Sequence, residues 1–600
     1  MQMMKLTRTK IICTMGPAVA SYEAVTSLMQ EGMSVARINF SHGTLEEHRK
    51  TIHLLKKVRK ELKRPLAIMV DLKGPEIRVG KLPEGQIELK KGEKWKLVPA
   101  DLVLKAGEIP MQPIEALDAI SIGMKILFDD GYIISKVVEV GEKTAIVEIE
   151  HGGVLKSNKG INMPGAHLDL PAVTPKDLID LQFACEEDID LVAASFIRSS
   201  RHVLAIKEVL AKAGRPDVLV IAKIENQHGV ENFDSIVQVA DGIMVARGDL
   251  GVEIDLSFVP KLQKMMIRKC YLASKPSVTA TQMLESMIVN PRPTRAEASD
   301  VANAIYDSTS AIMLSGETAV GKYPIEAVRN MRKIAEVAET DFPYRLFFEQ
   351  NTHRDYHDVS SAMATAAVRT AYSTNARALF AFTTSGMSAR LISRLRPQVP
   401  IIAVAPTEKI YHQLASNWGV VPVLSLGCKS AREAFGAASH FALEEGIIAF
   451  GDLVVIVAGA PFGEKGTTNL VTVISIGEVA IRGHSGIGAK ATAPITLIRS
   501  PEERTVSELK GKLVVLPYCD QSFLPVLKEA AGIILQNAMD DTTSERVAFM
   551  IAKTFEIPCI ARADGAMHLL SEGEVMTLAP QRGLIYYGTE ETITCPTFFL

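Results

Sequence analysis

The stretch VLVIAKIENQHG, residues 218–229, joins an apolar run to a pair of charges. Positions 218–222 are all apolar, and Lys223 and Glu225 follow, two residues apart. A short continuous apolar run is typical of a strand that is buried on both faces, as strands of a parallel sheet are. Side chains two residues apart in a strand point to the same face. The stretch therefore predicts a buried parallel strand whose carboxyl end carries a lysine beside a glutamate.

Similar short apolar segments recur along the first half of the chain. They lie at 9–16, 35–41, 66–74, 190–196, 242–249, 277–283 and 311–318. Amphipathic segments such as SYEAVTSLMQEGM and PKDLIDLQFACEEDI separate most of them. Strands that alternate with helices predict a parallel sheet, and eight such strands predict an α/β fold of the (β/α)8 TIM-barrel type.

The rest of the chain predicts three further domains. Residues 76–170 are rich in Val, Ile, Lys and Gly and predict antiparallel hairpins, hence a small β domain inserted in a barrel loop. The barrel itself would comprise 1–75 and 171–344. Strand–helix alternation returns in 345–482, which we expect to be an α/β domain. A loop-like stretch, GHSGIGAKATAP, then leads into a last α/β domain within 483–600.

The composition excludes several classes of protein. A formal net charge of −3 gives no reason to expect nucleic acid or an anionic membrane as a partner. The seven cysteines are scattered without a CxxC pair, which argues against a disulfide framework or a zinc ribbon. The first residues lack the apolar core of a secretory signal, and the longest apolar run, 453–462, is too short to cross a bilayer. We therefore expect a cytoplasmic globular protein.

Polar side chains follow most of the predicted barrel strands at their carboxyl ends. They are Arg37, Asn39, Ser41, Asp71, Lys73, Lys223, Glu225, Arg247, Asp249, Thr281, Ser315 and Glu317. Taken singly, such a residue is most often a helix cap or half of a structural ion pair. Together they would meet at the top face of a barrel, where enzymes of this fold place their chemistry. A buried group of Lys, Glu and Asp is costly without a metal or ligand, so we interpret the set as an active site.

The residue types indicate phosphoryl chemistry. Glu225 and Asp249 suit a hard divalent ion such as Mg2+, which takes one or two carboxylates plus substrate oxygens. Lys223 and Arg37 supply fixed positive charge for a phosphoryl group. No His or Cys belongs to the set, so we expect no covalent intermediate. The run GETAVGKY, 316–323, has P-loop spacing but ends in Tyr323 where a P-loop has Ser or Thr, so we reject that alternative.

Seven longer motifs that include these residues indicate a resemblance to a known family. RINFSHG, DLKGPEIR, KIEN, MVARGDLG, ATQMLESM, RPTRAE and MLSGETAVGKYP resemble pyruvate kinase in order and spacing, over about residues 5–481. The resemblance implies transfer of a phosphoryl group from phosphoenolpyruvate to ADP, giving pyruvate and ATP, the last step of glycolysis. It also implies that the inserted domain is a small β-barrel lid, and that the enzyme is an allosterically regulated homotetramer.

The resemblance implies roles at the catalytic centre. Glu225 and Asp249 would bind Mg2+ or Mn2+, and Lys223 with Arg37 would stabilise the phosphoryl group. Backbone amides and Thr281 would hold the substrate carboxylate, through the run Ala246, Arg247, Gly248 and Asp249. The route that protonates the enolate would use Thr281, Ser315 and Glu317.

The resemblance also implies sites for K+, nucleotide and effector. K+ would be bound by Asn39, Ser41, Asp71 and the carbonyl of Leu72. ADP would contact Asn39, His42, Arg78 and Lys159. A phosphorylated effector, a sugar monophosphate or AMP, would bind the loop that contains Thr383, Thr384, Ser385, Gly386 and Ser388, with a second loop, GAPFGEKGTTN, at 459–469.

Two departures from the family pattern bear on function. Leu72 stands where K+-dependent members usually have Thr, but Glu76 puts no permanent positive charge at the K+ position, so we favour K+ dependence. The C-terminal segment resembles the phosphohistidine domain of phosphoenolpyruvate-utilising enzymes, yet Glu545 stands where the His would be. We expect this domain to carry no phosphoryl group. Two alternatives to an active pyruvate kinase remain open. The first is a non-catalytic sensor of phosphoenolpyruvate, and the second is a phosphotransferase that uses the C-terminal domain as a swinging arm.

Overall fold

The computed structural model describes residues 7–168, 170–352, 358–428, 430–460, 466, 468–477 and 479–588. These residues divide into two compact units. The first is Met1–Thr365 with Thr383–Leu426, and the second is Ala366–Phe382 with Gly427–Leu600. Within the described part of the chain, no helix is both long enough and apolar enough to span a membrane.

Eight parallel strands close into a barrel in the first unit. They are β1 (Lys10–Thr14), β2 (Met33–Asn39), β3 (Ala67–Asp71), β4 (Leu191–Ala194), β5 (Leu219–Ile224), β6 (Gly242–Ala246), β7 (Ser277–Ala280) and β8 (Ala311–Leu314). Each strand pairs with its sequence neighbour, and β8 closes on β1 in the register Lys10↔Ala311. The predicted TIM barrel is confirmed.

Helices follow the strands and cover the barrel. The larger ones are Tyr22–Glu31, Leu45–Glu61, Pro175–Glu186, Ser200–Lys212, Phe233–Val239, Val259–Leu272, Arg295–Tyr306 and Pro324–Asp341. Three of them begin with a capping box, at Thr44, Thr174 and Thr294. In a capping box the Thr hydroxyl and an acidic side chain three residues later satisfy amides that the helix leaves free. The barrel interior is filled by apolar side chains such as Ile12, Met69, Ile221 and Met244, so it is a packed core.

Most barrel strands end earlier than the sequence predicts. The predicted sixth strand runs to 249, but β6 ends at Ala246 and Arg247–Glu253 is a short helix. Likewise β8 ends at Leu314, and Gly316–Ala319 is helical. After β7, Thr281 and Gln282 have φ of 68° and 53°, which no strand accommodates. The polar residues at these ends therefore lie on the loops and first helical turns above the barrel.

The inserted β domain forms two sheets. The larger has seven strands in the order Ile161–Asn162, Lys125–Phe128, Ile133–Gly141, Thr144–His151, Lys94–Pro99, Glu108–Gln112 and Arg78–Val79. Gly153–Lys156 leaves that sheet and pairs with Gln86–Leu89. A side chain at Gly152 would come within 2.2 Å of the Leu89 carbonyl oxygen, so glycine permits this departure. The two edges of the larger sheet also meet, because Arg78 forms an antiparallel bridge with Gly160 and the Val79 amide donates to the Lys159 carbonyl at 2.9 Å. The larger sheet thus closes on itself, in agreement with the expected small β-barrel.

The expected α/β region 345–482 contributes elements to both units. Ile401–Ala405 and Val420–Leu424 form a parallel pair in the first unit. In the second unit Ala378–Phe382 is parallel to Leu453–Gly459, which is antiparallel to Thr468–Ser475. The accompanying helices are Tyr344–Asn351, Val359–Thr374, Met387–Ser393, Glu408–Leu414 and Ala431–Glu444. The four expected domain boundaries stay predictions.

The C-terminal segment has one eight-stranded sheet. Its order is Val479–Arg482, Leu584–Tyr587, Val575–Ala579, Ala491–Leu497, Leu513–Leu516, Gly532–Leu535, Cys559–Ala561 and Ser485–Ile487. The longest helix of this segment is Thr542–Thr554. Ser485–Ile487 lies within GHSGIGAKATAP and Ala491–Leu497 begins there, so the expectation of a loop in this stretch is wrong. A side chain at Gly486 would lie 2.4 Å from the Pro580 carbonyl oxygen, so this glycine serves close packing and does not mark a loop.

Candidate active site

Buried charged side chains are in contact across the carboxyl ends of β2, β3 and β5. The Nε of Arg37 donates to Asp71 Oδ2 at 2.7 Å, and Lys223 Nζ donates to Asp71 Oδ1 at 3.2 Å. Lys223 Nζ also lies 2.9 Å from Glu225 Oε1. Asp71 and Glu225 are each 1% exposed. The barrel therefore brings together two cations and two carboxylates from three strands that are far apart in sequence.

The charges in this network fix the protonation of Asp71 and Lys223. Burial alone would raise the pKa of Asp71, but Arg37 and Lys223 outweigh burial and lower that pKa. Burial alone would lower the pKa of Lys223, but Asp71 and Glu225 outweigh burial and raise that pKa. At neutral pH the Asp71 carboxylate is therefore ionised and Lys223 carries a full positive charge inside the site.

Glu225 and Asp249 form the acidic side of the site. Burial raises the pKa of Glu225 to about 7, against the attraction of Lys223 and with the help of the Asp249 charge. Burial also raises the pKa of Asp249, and the carboxylates of Asp130 and Glu76 add to that effect. Two buried carboxylates that repel each other are in the electrostatic situation that a divalent cation relieves.

The donor set fits a hard divalent ion that shares its shell with substrate. Among the described residues no group of three or more His, Cys, Asp or Glu side chains could enclose a metal. The chain therefore offers Glu225 and Asp249, and the other positions would be filled by water or substrate oxygens. Mg2+ and Mn2+ accept oxygen ligands in this way.

The ends of β6 and β7 are joined by internal hydrogen bonds. The Nη1 of Arg247 lies 2.7 Å from Asp300 Oδ2, and its Nη2 donates to the Thr281 carbonyl at 2.7 Å. The Gly248 amide donates to Thr281 Oγ1 at 2.8 Å. The Arg247 guanidinium therefore holds the loop after β7. A substrate carboxylate would need to displace Thr281 from the Gly248 amide or use a neighbouring amide.

Glu317 connects the loops after β7 and β8. Its Oε1 accepts the Leu284 amide at 3.0 Å and its Oε2 accepts the Ser315 amide at 2.7 Å. The residue is 1% exposed. Because both oxygens accept backbone amides, Glu317 fixes the position of Ser315.

The residues expected to bind K+ lie next to this network. Asn39 Oδ1 accepts the Ser41 amide at 3.1 Å. The Leu72 side chain is 2% exposed and packs in the core, while its amide donates to the Ala193 carbonyl at 3.0 Å. Only the carbonyl of Leu72 is thus suited to a cation. Glu76 accepts a hydrogen bond from Arg78 Nε at 2.5 Å.

A cleft of about 400 Å3 opens between the barrel top and the inserted domain. Its lining includes His42, Arg78, Lys159 and Asp249. Arg78 Nη1 donates to the Asn158 carbonyl at 2.8 Å, and Lys159 pairs with Asp129 at 2.7 Å. Three of the four residues expected at the nucleotide therefore line one cleft with a metal-ligand candidate.

Two residues that the sequence did not predict, Ser195 and Glu253, also belong to the site. Ser195 donates to Asp71 Oδ1 at 3.3 Å and accepts from Lys223 Nζ at 2.7 Å, so it orients the lysine. It ends the segment DLVAAS, and its position at a strand end was a usable signal. Glu253 accepts a hydrogen bond from Asn162 of the inserted domain at 3.0 Å. No pattern in the sequence pairs residues that lie so far apart.

Comparison with known proteins agrees with this geometry. A family model described as pyruvate kinase, barrel domain, matches residues 6–328. A second, described as pyruvate kinase, alpha/beta domain, matches 361–474. The chain belongs to the pyruvate kinase family. Pyruvate kinases of Geobacillus stearothermophilus and Bacillus licheniformis are each 40% identical to it over 97% of the chain and 99% of their own length. That of Staphylococcus aureus (strain MRSA252) is also 40% identical, with the same coverage.

Pyruvate kinases generally use a divalent metal and potassium, with phosphoenolpyruvate and ADP as substrates.

Because the matched relatives align with 97% of the chain, the alignments include most of the C-terminal segment. In that segment Glu545 accepts hydrogen bonds from Ser485 Oγ at 2.5 Å and from Arg562 Nε at 3.0 Å. Its carboxylate is thus held by two neighbouring side chains.

The expected effector loop lies between Ala378–Phe382 and the helix Met387–Ser393. Thr383 and Ser388 are buried, and Ser385 and Met387 are exposed. The helix has seven residues, so loop hydroxyls and amides would supply most of any anion contact. In the second expected loop, residues 461–465 and 467 lie outside the described residues.

Proposed function

We propose that Lys223, Arg37, Glu225 and Asp249 perform in this chain the reaction of the pyruvate kinase family. The reaction transfers a phosphoryl group from phosphoenolpyruvate to ADP and yields pyruvate and ATP. The observation that carries the proposal is the 2.9 Å contact between Lys223 and Glu225. It places a permanently charged ammonium group beside a carboxylate suited to a metal, so both can act on one phosphoryl group.

Each side chain has one task in this scheme. Glu225 and Asp249 would hold Mg2+ or Mn2+, which when bound neutralises charge on the phosphoryl and carboxylate oxygens of the substrate. Lys223 and Arg37 attract the negative charge of the phosphoryl group in transit, and Asp71 holds both cations in place. Such preorganised charge accelerates transfer because it is already oriented when the reaction occurs.

The residues after β7 and β8 serve substrate placement and proton delivery. Amides in the run Ala246–Asp249 hold the substrate carboxylate. Thr281 and Ser315, the latter fixed by Glu317, face the enolate and carry the proton that completes pyruvate. Both oxygens of Glu317 already accept amides, so it positions Ser315 and does not itself deliver the proton.

The cleft below the inserted domain takes the nucleotide. Arg78 and Lys159 contact the phosphates of ADP, and His42 and Asn39 lie on the barrel side. The inserted domain acts as a lid, since Asn162 reaches Glu253 at 3.0 Å and closes one edge of the cleft. Closure excludes water that would otherwise take the phosphoryl group.

K+ binds to Asn39, Ser41, Asp71 and the carbonyl of Leu72. A phosphorylated effector binds the loop that contains Thr383, Thr384, Ser385, Gly386 and Ser388. The protein is a homotetramer in the cytoplasm. The C-terminal domain carries no phosphoryl group, because the Glu545 carboxylate cannot act as the neutral nitrogen nucleophile of a phosphohistidine domain.

The test is the initial rate of pyruvate formation from phosphoenolpyruvate, ADP and Mg2+, with K+ omitted and then restored. A rate that rises steeply with K+ supports both the reaction and the cation site. Equal rates support the reaction but overturn the cation site. No rate under either condition, with phosphoenolpyruvate binding retained in calorimetry, favours the non-catalytic sensor. A phosphorylated C-terminal peptide after incubation with phosphoenolpyruvate would favour the swinging arm.

A further inference from the structure

The inserted domain is joined to the barrel by two connections that meet at Asp177. The first connection leaves β3 and contains Gly74, and the second returns from Ile161–Asn162 and ends at Thr174, where the helix Pro175–Glu186 begins. Asp177 lies in the first turn of that helix and is 2% exposed. Its Oδ1 accepts the Gly74 amide at 3.1 Å, and its Oδ2 accepts the Thr174 amide at 2.9 Å. One buried carboxylate therefore holds both connections.

The Asp177 carboxylate does more than cap its helix. Thr174 and Asp177 form a capping box, in which Thr174 Oγ1 accepts the Asp177 amide at 3.1 Å and donates to Asp177 Oδ2 at 2.7 Å. The capping box uses only Oδ2 of the carboxylate. The hydrogen bond from the Gly74 amide to Oδ1 is therefore additional to the cap, and it joins residues that are 103 positions apart in sequence.

Gly74 connects Asp177 to the surroundings of Lys223. A side chain at Gly74 would lie 2.9 Å from the Ser195 carbonyl oxygen, so the Gly74 backbone packs directly against Ser195. Gly74 has a φ of 69°, which glycine adopts without strain. Ser195 Oγ in turn accepts a hydrogen bond from Lys223 Nζ at 2.7 Å. A displacement of the first connection would therefore move the hydroxyl group that orients Lys223.

The same helical turn also contacts the loop after β2. Lys176 Nζ donates to the Phe40 carbonyl at 3.1 Å and pairs with Asp180 at 2.5 Å. Phe40 directly precedes Ser41, one of the residues expected to bind K+. The returning connection is thus attached to the top of the barrel at two points, the segment after β3 through Asp177 and the segment after β2 through Lys176.

We propose that Asp177 is a positioning residue for the reaction, which couples the placement of the inserted domain to the orientation of Lys223 through Gly74 and Ser195. Among the described residues that line the cleft of about 400 Å3, neither Asp177 nor Gly74 occurs, so Asp177 acts without touching substrate. When the inserted domain closes over the cleft, its two connections move together because one carboxylate holds both. The inference rests on the proposed function and adds to it a residue outside the cleft.

Two substitutions separate this coupling from the helix cap. Asp177→Ala removes both the cap and the acceptor of the Gly74 amide, whereas Thr174→Ala weakens the cap and leaves that acceptor in place. Both variants should therefore melt at a lower temperature than the parent protein. Only Asp177→Ala should lower the turnover number, by about tenfold or more, because a small misplacement of a reacting group has an effect of that size. Turnover is measured at saturating phosphoenolpyruvate, ADP and Mg2+, well below both melting temperatures.

Hydrogen–deuterium exchange gives a measure of the coupling that does not depend on activity. In the whole protein the Gly74 amide should exchange about tenfold faster or more in Asp177→Ala, because it loses one hydrogen bond to a carboxylate. In Thr174→Ala the peptide that contains Gly74 should exchange at the parent rate. If Asp177→Ala does not fold, Asp177→Asn takes its place, because an Asn side chain has one acceptor oxygen where Asp177 uses two. In either variant, turnover should fall together with the protection of the Gly74 amide.

A matched control is Glu508→Ala, because Glu508 forms a capping box with Thr505 in the C-terminal segment. It should leave turnover and the exchange of the Gly74 amide unchanged. Turnover of Asp177→Ala within about twofold of the parent, or an equal loss of turnover in Thr174→Ala, would overturn this inference and leave the proposed function intact. Absence of pyruvate formation in the parent protein would instead overturn the proposed function, and this inference with it.

Discussion

Replacing Lys223 by Met tests the phosphoryl-stabilising role most directly. The Nζ of Lys223 is held at 2.7 Å by Ser195, at 3.2 Å by Asp71 and at 2.9 Å by Glu225, and its side chain is 11% exposed. It is therefore fixed in a site with little water, where one charged donor contributes most. Removing a preorganised donor of this kind typically costs about 10²–10³ in turnover number. We expect a loss in that range, with Arg37 accounting for residual activity.

The substitution also disturbs the fold, and the assay must separate the two effects. The Lys223→Met change would remove a buried cation from between Asp71 and Glu225, and breaking a buried pair costs about 3–5 kcal/mol of stability. Turnover should therefore be measured well below the melting temperature of the variant, at saturating phosphoenolpyruvate and ADP. Metal-dependent binding of phosphoenolpyruvate, followed by calorimetry, should persist because Glu225 and Asp249 remain.

Lys212→Met is the matched control, since Lys212 is 75% exposed and pairs with Glu208 on a helix surface. It should leave turnover and melting temperature unchanged. A Lys223→Met variant that binds phosphoenolpyruvate and keeps turnover within about tenfold of the parent would refute the role, because one charged donor is worth more than that.

Three further predictions concern the metal, K+ and the C-terminal domain. Burial raises the pKa of Glu225 to about 7 in the folded protein. The metal-free protein therefore loses stability as pH rises from about 4.5 to 7, because Glu225 ionises more readily in the unfolded chain. Mg2+ should thus raise the melting temperature more at pH 8 than at pH 5.5, and Glu225→Gln should reduce that difference to the part that Asp249 contributes. Glu76→Lys should raise the rate measured without K+ towards the rate with K+, and an unchanged rate ratio would contradict this. Glu545→Ala should leave turnover unchanged but destabilise the C-terminal domain in urea by about 1–3 kcal/mol, because Ser485 and Arg562 lose their acceptor.

The barrel could be predicted because each strand carries its own signal. A buried parallel strand needs a continuous apolar run, and all eight runs became strands of the barrel. The strand ends were harder, because polar residues after an apolar run fit a strand or a helical turn equally well. Asp249 shows this, since it lies in the first turn of Arg247–Glu253 and not in β6.

Contacts within the site depended on tertiary structure. The sequence indicated that Lys223 and Glu225 share one side of β5, and the structure places them 2.9 Å apart. The pairing of Arg247 with Asp300 could not be predicted from the sequence, because it depends on how the segment after β6 meets a later helix. In the C-terminal domain, Gly486 resembled a loop glycine because close packing of a strand and a flexible turn need the same residue.

Asp71 links the two cation requirements of the proposed mechanism. The family resemblance assigns it to K+, yet its oxygens already accept hydrogen bonds from Arg37, Lys223 and Ser195. A K+ ion that ligates Asp71 must share these oxygens and would weaken the hold on both cations. The monovalent ion and the phosphoryl-stabilising charges would thus be coupled through one buried carboxylate. Loss of K+ should then alter how Lys223 is oriented, and so lower turnover more than it weakens metal binding.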